Sequence, residues 1–198
     1  MNEKLLEEIK LSGRQRGIPL IMDNTLEYIF DILKDKKVNN ILEIGSAIGY
    51  SAICFTKLLK DDGHIDTIEI EEIRVEEAKE NIKNMEMEDK INVHLGNALD
   101  ILPKFIEEGK KYDYIFIDAA KGKYLDFYNY SLELLSDDGI IIADNVLYKG
   151  MVLSDYNKRK HRTAVNKLRY FINYIQNIEG IESKIIDIGD GISISYRR

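Results

Sequence analysis

Two aspartates, an asparagine and a lysine stand where side chains can do chemistry. Asp118 and Lys121, in Asp118-Ala-Ala-Lys121, follow the apolar run Tyr112-Asp-Tyr-Ile-Phe-Ile117, and Asp144-Asn145 follows Gly139-Ile-Ile-Ile-Ala143. Two carboxylates and an amide oxygen form a hard, all-oxygen donor set, which suits magnesium, calcium or manganese rather than zinc. Without a cation the two aspartates repel each other, and one is expected to keep its proton. Each motif alone has a plainer reading: Asp-Ala-Ala-Lys can cap a helix behind an exposed lysine, and Asp-Asn is common in turns. Their recurrence at successive strand ends favours a site.

A second group of residues suits a nucleoside. Ile41-Leu-Glu-Ile-Gly45-Ser-Ala-Ile-Gly49-Tyr-Ser51 reads as a buried strand entering a Gly-rich turn and then a helix, the place where α/β sheets take nucleotide-like ligands. Dinucleotide folds carry G-x-G-x-x-G, whose second glycine admits a pyrophosphate to the helix amino terminus. Here the pattern beginning at Glu43 is G-x-x-x-G, so Gly45 still permits close approach while Ser46 and Ala47 fill the middle. Glu69 ends the next strand pattern, placed to accept hydrogen bonds from two ribose hydroxyls. A ribose without a pyrophosphate fits these residues best. Tight strand-to-helix packing is the competing explanation for the glycines, and a solvated helix cap is the one for Glu69.

Elements must bring these residues together. Leu5, Leu6 and Ile9 indicate a short amphipathic helix, followed by a loop over Ser12-Gly-Arg-Gln-Arg-Gly-Ile-Pro19. Leu26, Ile29, Phe30 and Leu33 predict a second helix over about 23–34, capped by Asp23 or Asn24. From Asn39 onward strand and helix patterns alternate, with strands near 41–45, 65–70, 91–95, 112–118 and 139–143. That rhythm predicts an α/β fold with right-handed crossovers and helices on both faces of a mostly parallel sheet. A long helix over about 161–178 precedes two last strand patterns, 181–188 and 192–196, separated only by Gly189-Asp190-Gly191. A parallel crossover needs about a dozen residues, so this turn predicts an antiparallel carboxyl-terminal hairpin and brings the strand count to seven. The strand ends that open onto one rim of such a sheet would place the glycines and acids in one cleft.

Composition narrows the class further. The chain has 198 residues, 44% hydrophobic and 32% charged, a balance expected of one globular domain over 1–198, with the helices of 1–38 forming part of the cover over the site. No apolar run approaches the roughly 18 residues of a membrane span, and the charged start Met1-Asn-Glu-Lys is unlike a signal peptide. A cytoplasmic protein is expected. The single Cys54 excludes an internal disulfide and a cysteine-rich zinc site, and its apolar neighbours predict packing rather than nucleophilic chemistry. A net charge of -7 disfavours coating nucleic acid with the whole surface.

The glycine pattern, Glu69 and the terminal hairpin resemble the Rossmann-like class I fold of S-adenosylmethionine-dependent methyltransferases. Adding Asp118-Ala-Ala-Lys121 and Asp144-Asn145, the chain resembles, from about Ile18 to Arg198, the cation-dependent O-methyltransferases of the catechol and caffeoyl-coenzyme A type. The resemblance implies that Asp118, Asp144 and Asn145 bind the metal, Mg2+ with Mn2+ or Ca2+ as alternatives, and that Lys121 lies beside the acceptor hydroxyl. It implies a cofactor set of Met22, Glu43, Gly45, Ser51, Glu69, Asn97, Ala98 and Asp118, with Met22 near the methionine end, Ser51 at its carboxylate, and Asn97 and Ala98 around the adenine. From the residues alone, Met22 reads as core, Ser51 as a first-turn polar residue and Asn97 as a helix cap. Methyl transfer from a sulfonium needs an oxygen nucleophile that is anionic or nearly so, and a divalent cation eases that proton loss. Lys121, with Asp118 beside it, would act as general base or steady the oxyanion.

The acceptor is the least specified part. Lys149 and Lys158-Arg-Lys-His-Arg162 follow the Asp144 strand, and Arg14 and Arg16 add charge near the amino terminus. Such a basic cluster can grip a polynucleotide backbone, or it can be an ordinary solvated face. Arg14-Gln-Arg-Gly-Ile-Pro-Leu-Ile-Met22 and the compact length resemble the bacterial branch that methylates 5-hydroxyuridine in the transfer RNA anticodon loop. That resemblance makes tRNA the expected substrate. The alternatives are a small catechol or caffeoyl-type diol and, from other classes, a non-catalytic cofactor-binding module or a nicotinamide oxidoreductase, the last disfavoured by the missing G-x-G-x-x-G. The family implies a homodimer.

Overall fold

The computed structural model of the chain describes residues 1–36, 38–155 and 158–198. Two compact units divide it, Met1–Ile101 and Leu102–Arg198. Among the described residues seven strands belong to one sheet.

In the first unit, α1 (Glu3–Gln15) and α2 (Asp23–Leu33) precede β1 (Val38–Ile44), α3 (Tyr50–Phe55), β2 (Leu59–Glu69), α4 (Glu72–Asn84) and β3 (Ile91–Leu95). The strand order is β3-β2-β1, all parallel, with Ile41 beside Ile65, Ile44 beside Ile68 and Glu69 beside Leu95. Such strands must be covered on both faces. Helix α4 supplies one cover through Val75, Ala78 and Ile82, the three-and-four spacing of a single helical stripe.

The helical start differs from the sequence reading in two ways. Helix α1 continues through Ser12, Gly13 and Arg14, because Gly13 is buried and lets the helix press on Leu20 and Ile48: a β-carbon there would stand 2.9 Å from Leu20 Cδ1 and 3.0 Å from Ile48 Cδ1. Helix α2 is preceded by Met22 without a side-chain cap. Asp23 instead pairs with Arg14, at 2.8 Å.

Helix α5 (Ala98–Glu107) carries the division between the units. The second unit continues with β4 (Tyr112–Ile117), α6 (Tyr124–Leu134), β5 (Leu135–Ala143), α7 (Arg162–Asn177), β6 (Ile181–Ile186) and β7 (Ile192–Arg197). Its order is β4-β5-β7-β6. Strands β4 and β5 run parallel, whereas β7 is antiparallel to β5 and also to β6, the latter as the short Gly-Asp-Gly turn requires. Helix α7 buries Val165, Leu168, Phe171 and Ile175, and the Phe171 ring meets Tyr124 and Tyr128 edge-on at 5.7 and 5.5 Å.

Both β2 and β5 begin earlier than their apolar runs suggest. Each contains Asp-Asp-Gly, at 61–63 and 137–139, where the parallel register shifts. The glycine is needed in each place: a β-carbon on Gly63 would lie 2.7 Å from Asn39 O, and one on Gly139 would lie 2.7 Å from Leu135 Cδ1. What reads as a turn is an irregularity inside a strand.

Candidate active site

Strand β1 delivers the chain into a turn with left-handed backbone at Gly45 (φ 101°), Ala47 (φ 44°) and Gly49 (φ 79°). At Gly49 a β-carbon would also approach Ala78 Cβ to 3.2 Å, so the glycine serves both the turn and the packing of α3 on α4. The turn is held from β2. Gly45 N–H donates to Ile68 O at 2.9 Å, and Ala47 N–H donates to Glu69 Oε2 at 2.9 Å. Glu69 Oε1 accepts the Ile70 and Glu71 amides at 2.8 and 3.0 Å. Its carboxylate, 6% exposed, therefore fixes the Gly-rich turn, and with three amides accepted it keeps about one lone-pair site for a further donor rather than the two expected from the sequence.

The other residues read as cofactor contacts fall in varied settings. Glu43 is fully buried within the sheet, and Thr67 Oγ1 donates to its Oε2 at 2.5 Å. Ser51 is buried in the first turn of α3. Met22 is exposed before α2. Asn97 Oδ1 accepts the Leu99 amide at 3.0 Å, the capping role that its residue type suggested, and Ala98 opens α5 as a buried residue. Cys54 is packed as expected, and burial pushes its thiol up to about 12.

The second unit gathers the acids and the lysine. Lys121 Nζ donates to Asp118 Oδ1 at 3.0 Å and to Asn145 Oδ1 at 2.8 Å. Asp118 lies three residues before the 3-10 turn that Lys121 opens, Lys121–Lys123, and Lys123 N–H donates to Ala120 O at 2.8 Å. Asp144 is 1% exposed at the end of β5. Its Oδ1 accepts the Asn145 amide at 2.6 Å, while its buried Oδ2 has no hydrogen-bond partner among the described residues. Burial, reinforced by the charge of Asp118, raises the Asp144 carboxyl to about 7; the Asn145 amide and Lys121 pull it the other way. The repulsion expected from the sequence is thus present, and it falls on Asp144.

A divalent cation suits this arrangement. A buried carboxylate oxygen without a donor, beside a second carboxylate and an amide oxygen, is satisfied by a hard ion. Among the described residues no three His, Cys, Asp or Glu side chains form a ligand group, so a cation here would need the amide oxygen of Asn145 beside the two carboxylates.

Two supporting residues escaped the sequence reading. Tyr124, 1% exposed, donates its hydroxyl to Asp144 O at 2.8 Å and lies under Lys121 Nζ, 5.3 Å from the ring centroid. Its position three residues after Lys121 is the available signal. Asp190, in the β6–β7 turn, accepts the Lys149 amide. Beside Lys121 lies a recess of about 410 Å³ between α6 and α7, lined by Leu125, Thr163, Asn166 and Tyr170 among others, large enough for a small aromatic acceptor.

The basic residues behave unequally. Arg14 pairs with Asp23, and Arg16 pairs through Nη1 and Nη2 with Glu77. Lys149, Lys158, Arg159, Lys160 and Arg162 are exposed and form no ion pair among the described residues.

Known proteins share both the sequence and the fold of this chain. A Niastella koreensis catechol O-methyltransferase is 36% identical over 120 residues, 60% of this chain and 54% of that protein, so the match spans about half of the relative's length. Caffeoyl-CoA O-methyltransferase 1 of Eucalyptus globulus is 32% identical over 182 residues, 86% of this chain and 72% of the relative. A Staphylococcus aureus structure, described as a candidate caffeoyl-CoA O-methyltransferase, superposes with a TM-score of 0.89 at 33% identity, covering 98% of this chain and 92% of that one. An O-methyltransferase from Bacillus cereus in complex with SAH gives 0.85 at 27% identity, covering 98% and 91%. The sequence profile of the O-methyltransferase family matches residues 4–198, and the chain belongs to that family.

Proposed function

We propose that the chain transfers the methyl group of S-adenosylmethionine to one hydroxyl of a catechol- or caffeoyl-type diol, with a divalent cation held by Asp118, Asp144 and Asn145. The observation that carries this reading is the buried, unpartnered Asp144 Oδ2 beside the Lys121 contacts to Asp118 and Asn145. When bound there, Mg2+ would act as a Lewis acid that favours the deprotonated acceptor.

The protein's own groups do the rest. Two of the three N–H bonds of a Lys121 ammonium point at Asp118 and Asn145, which fixes Nζ and leaves a third donor for the acceptor oxygen. A neutral Lys121 would take the hydroxyl proton directly. Glu69 and the turn it braces hold the ribose, and Ser51 and Met22 attend the methionine end. Alignment of oxygen, methyl carbon and sulfur then supplies much of the rate.

The names of the relatives support the diol. Methylation of 5-hydroxyuridine in tRNA is the second reading, favoured by the exposed Lys158, Arg159, Lys160 and Arg162, and weakened because Arg14 and Arg16 are engaged by Asp23 and Glu77. One experiment separates them: labelled cofactor and Mg2+ with catechol, caffeoyl-CoA or bulk tRNA, each with and without chelator. Label in a diol that disappears with chelator supports the proposal. Label in RNA alone replaces the acceptor, and transfer indifferent to chelator removes the metal.

A further inference from the structure

The segment that follows Asn145 is tied to the turn between β6 and β7 by three hydrogen bonds. Val146 N–H donates to Gly191 O at 2.8 Å, Leu147 N–H donates to Asp190 O at 3.0 Å, and Lys149 N–H donates to the Asp190 carboxylate. The segment needs such support, because Asn145, Tyr148, Lys149 and Gly150 all adopt left-handed backbone, with φ of 56°, 46°, 56° and 71°. For the three residues that carry side chains this conformation is uncommon and is kept only where surroundings impose it. The turn is shaped to receive it. Gly191 (φ 79°) lies so close to buried Leu147 that a β-carbon would stand 2.2 Å from Leu147 Cγ, and Gly191 N–H closes the turn on Ile188 O at 2.9 Å.

We infer that Asp190 is a positioning residue, whose carboxylate holds the 145–149 segment so that the Asn145 side chain stays at the Lys121 and Asp118 cluster. This inference rests on the proposed function for the parts of its test that use an acceptor or a divalent cation, and not for amide exchange. Among the side chains of the β6–β7 turn, 187–191, only Asp187 and Asp190 carry charge, and Asp190 is the one that reaches the segment. The backbone bonds of Gly191 and of Asp190 O would persist in any variant that keeps the turn, so the carboxylate contact to Lys149 N–H can be removed alone. Its loss leaves an amide to water and frees three left-handed residues to relax. Asn145 Oδ1, 2.8 Å from Lys121 Nζ, is the atom that relaxation displaces.

The test compares Asp190→Ala, which removes the acceptor atom, with Asp190→Asn, which keeps an oxygen in the same place and removes the charge. Three readouts are taken on the full chain: amide hydrogen exchange at 145–149, Mn2+ affinity by paramagnetic resonance titration, and kcat and KM for the methyl acceptor. Asp190→Ala is expected to accelerate exchange in the segment, to weaken Mn2+ by about tenfold and to raise the acceptor KM by a similar factor, with melting temperature nearly unchanged. Asp190→Asn should restore all three. Wild-type exchange at 145–149 in Asp190→Ala overturns the inference, as does faster exchange without any change in Mn2+ affinity, or a defect that Asp190→Asn fails to repair. If the wild-type protein methylates none of the acceptors, the proposed function fails, while exchange and Mn2+ affinity still decide the role of Asp190. If it binds no Mn2+ either, the cation site fails with it, and exchange alone decides whether Asp190 holds the 145–149 segment.

Discussion

Glu69 Oε2 accepts the amide of Ala47 at 2.9 Å, so the acid at the end of β2 holds the Gly-rich turn at the end of β1. A carboxylate that accepts three backbone amides is hard to replace. Glu69→Ala leaves the Ala47, Ile70 and Glu71 amides without their acceptor, at about 1–3 kcal/mol for each one that water cannot reach. The variant is expected to melt several degrees lower and to bind S-adenosylhomocysteine at least tenfold more weakly by calorimetry. Glu69→Gln, which keeps one oxygen but turns an NH2 group toward the amides, should fall between. Wild-type affinity in Glu69→Ala would show that the residue has no part in holding the cofactor.

Asp144 makes the metal-free protein sensitive to pH. Its folded-state carboxyl titrates near 7, above the ordinary 3.8, first through burial and then through Asp118. A raised carboxyl pKa means the folded chain binds the proton more tightly than the unfolded chain. The associated stability is complete below about pH 4 and is lost as pH rises through 7. In chelator-treated protein the melting temperature should therefore decline between pH 4 and 7, with an unfolding free energy change of a few kcal/mol. Asp144→Asn should flatten that decline and remove any stabilisation by added Mg2+. A wild-type curve that matches the asparagine variant across this range counts against both the buried charge and the ion site.

Lys121 is tested by removing its charge while keeping its length. Lys121→Met leaves the apolar stem over Tyr124 and deletes the donors to Asp118 and Asn145. A general base or oxyanion donor is worth on the order of 10²–10⁴ in rate, so kcat should fall by that factor while S-adenosylhomocysteine affinity stays unchanged. Divalent-ion affinity should hold or rise, because a competing cation has gone. A modest loss of kcat, less than about fivefold, would place Lys121 outside the chemistry.

How far these residues could be read in advance depended on distance along the chain. Asp118, Lys121, Asp144 and Asn145 announced themselves because strand ends in a parallel sheet are legible from apolar runs, and because each motif is local. The terminal hairpin was legible for the same reason, since a three-residue turn leaves no other topology. The second duty of Glu69 was not, because its partner Ala47 is 22 residues away and any acid before a helix looks like a cap. Arg16 looked free for RNA because Glu77, 61 residues on, gives no local sign of pairing. The early starts of β2 and β5 were hidden by Asp-Asp-Gly, whose residue types signal a turn even where the backbone stays in the strand.

Cys54 offers a check on packing that is independent of function. The thiol is 2% exposed and raised to about 12 by burial, and thiolate is the reactive form. At pH 8 the folded protein should react with iodoacetamide only at the rate at which it opens, and one equivalent should be modified promptly in denaturant. Rapid stoichiometric labelling of the folded protein would show that α3 does not pack as described.

The basic run before α7 discriminates between acceptors without assuming either. Lys158, Arg159, Lys160 and Arg162 are exposed, so replacing all four by Gln removes charge and leaves the core of α7, Val165, Leu168, Phe171 and Ile175, untouched. A small neutral diol has no phosphates to meet these cations, and its KM should be the same in wild type and variant and indifferent to salt between 50 and 200 mM, a range over which about 6–10 phosphate contacts would cost 10³–10⁵ in affinity. For a polynucleotide acceptor, the four substitutions would raise KM and flatten its dependence on salt, because fewer counterions are released on binding. The expected outcome is unchanged kcat/KM for catechol in the variant at both salt concentrations. A large loss on tRNA, together with a shallower salt slope, would move the acceptor to RNA and assign the run to its backbone.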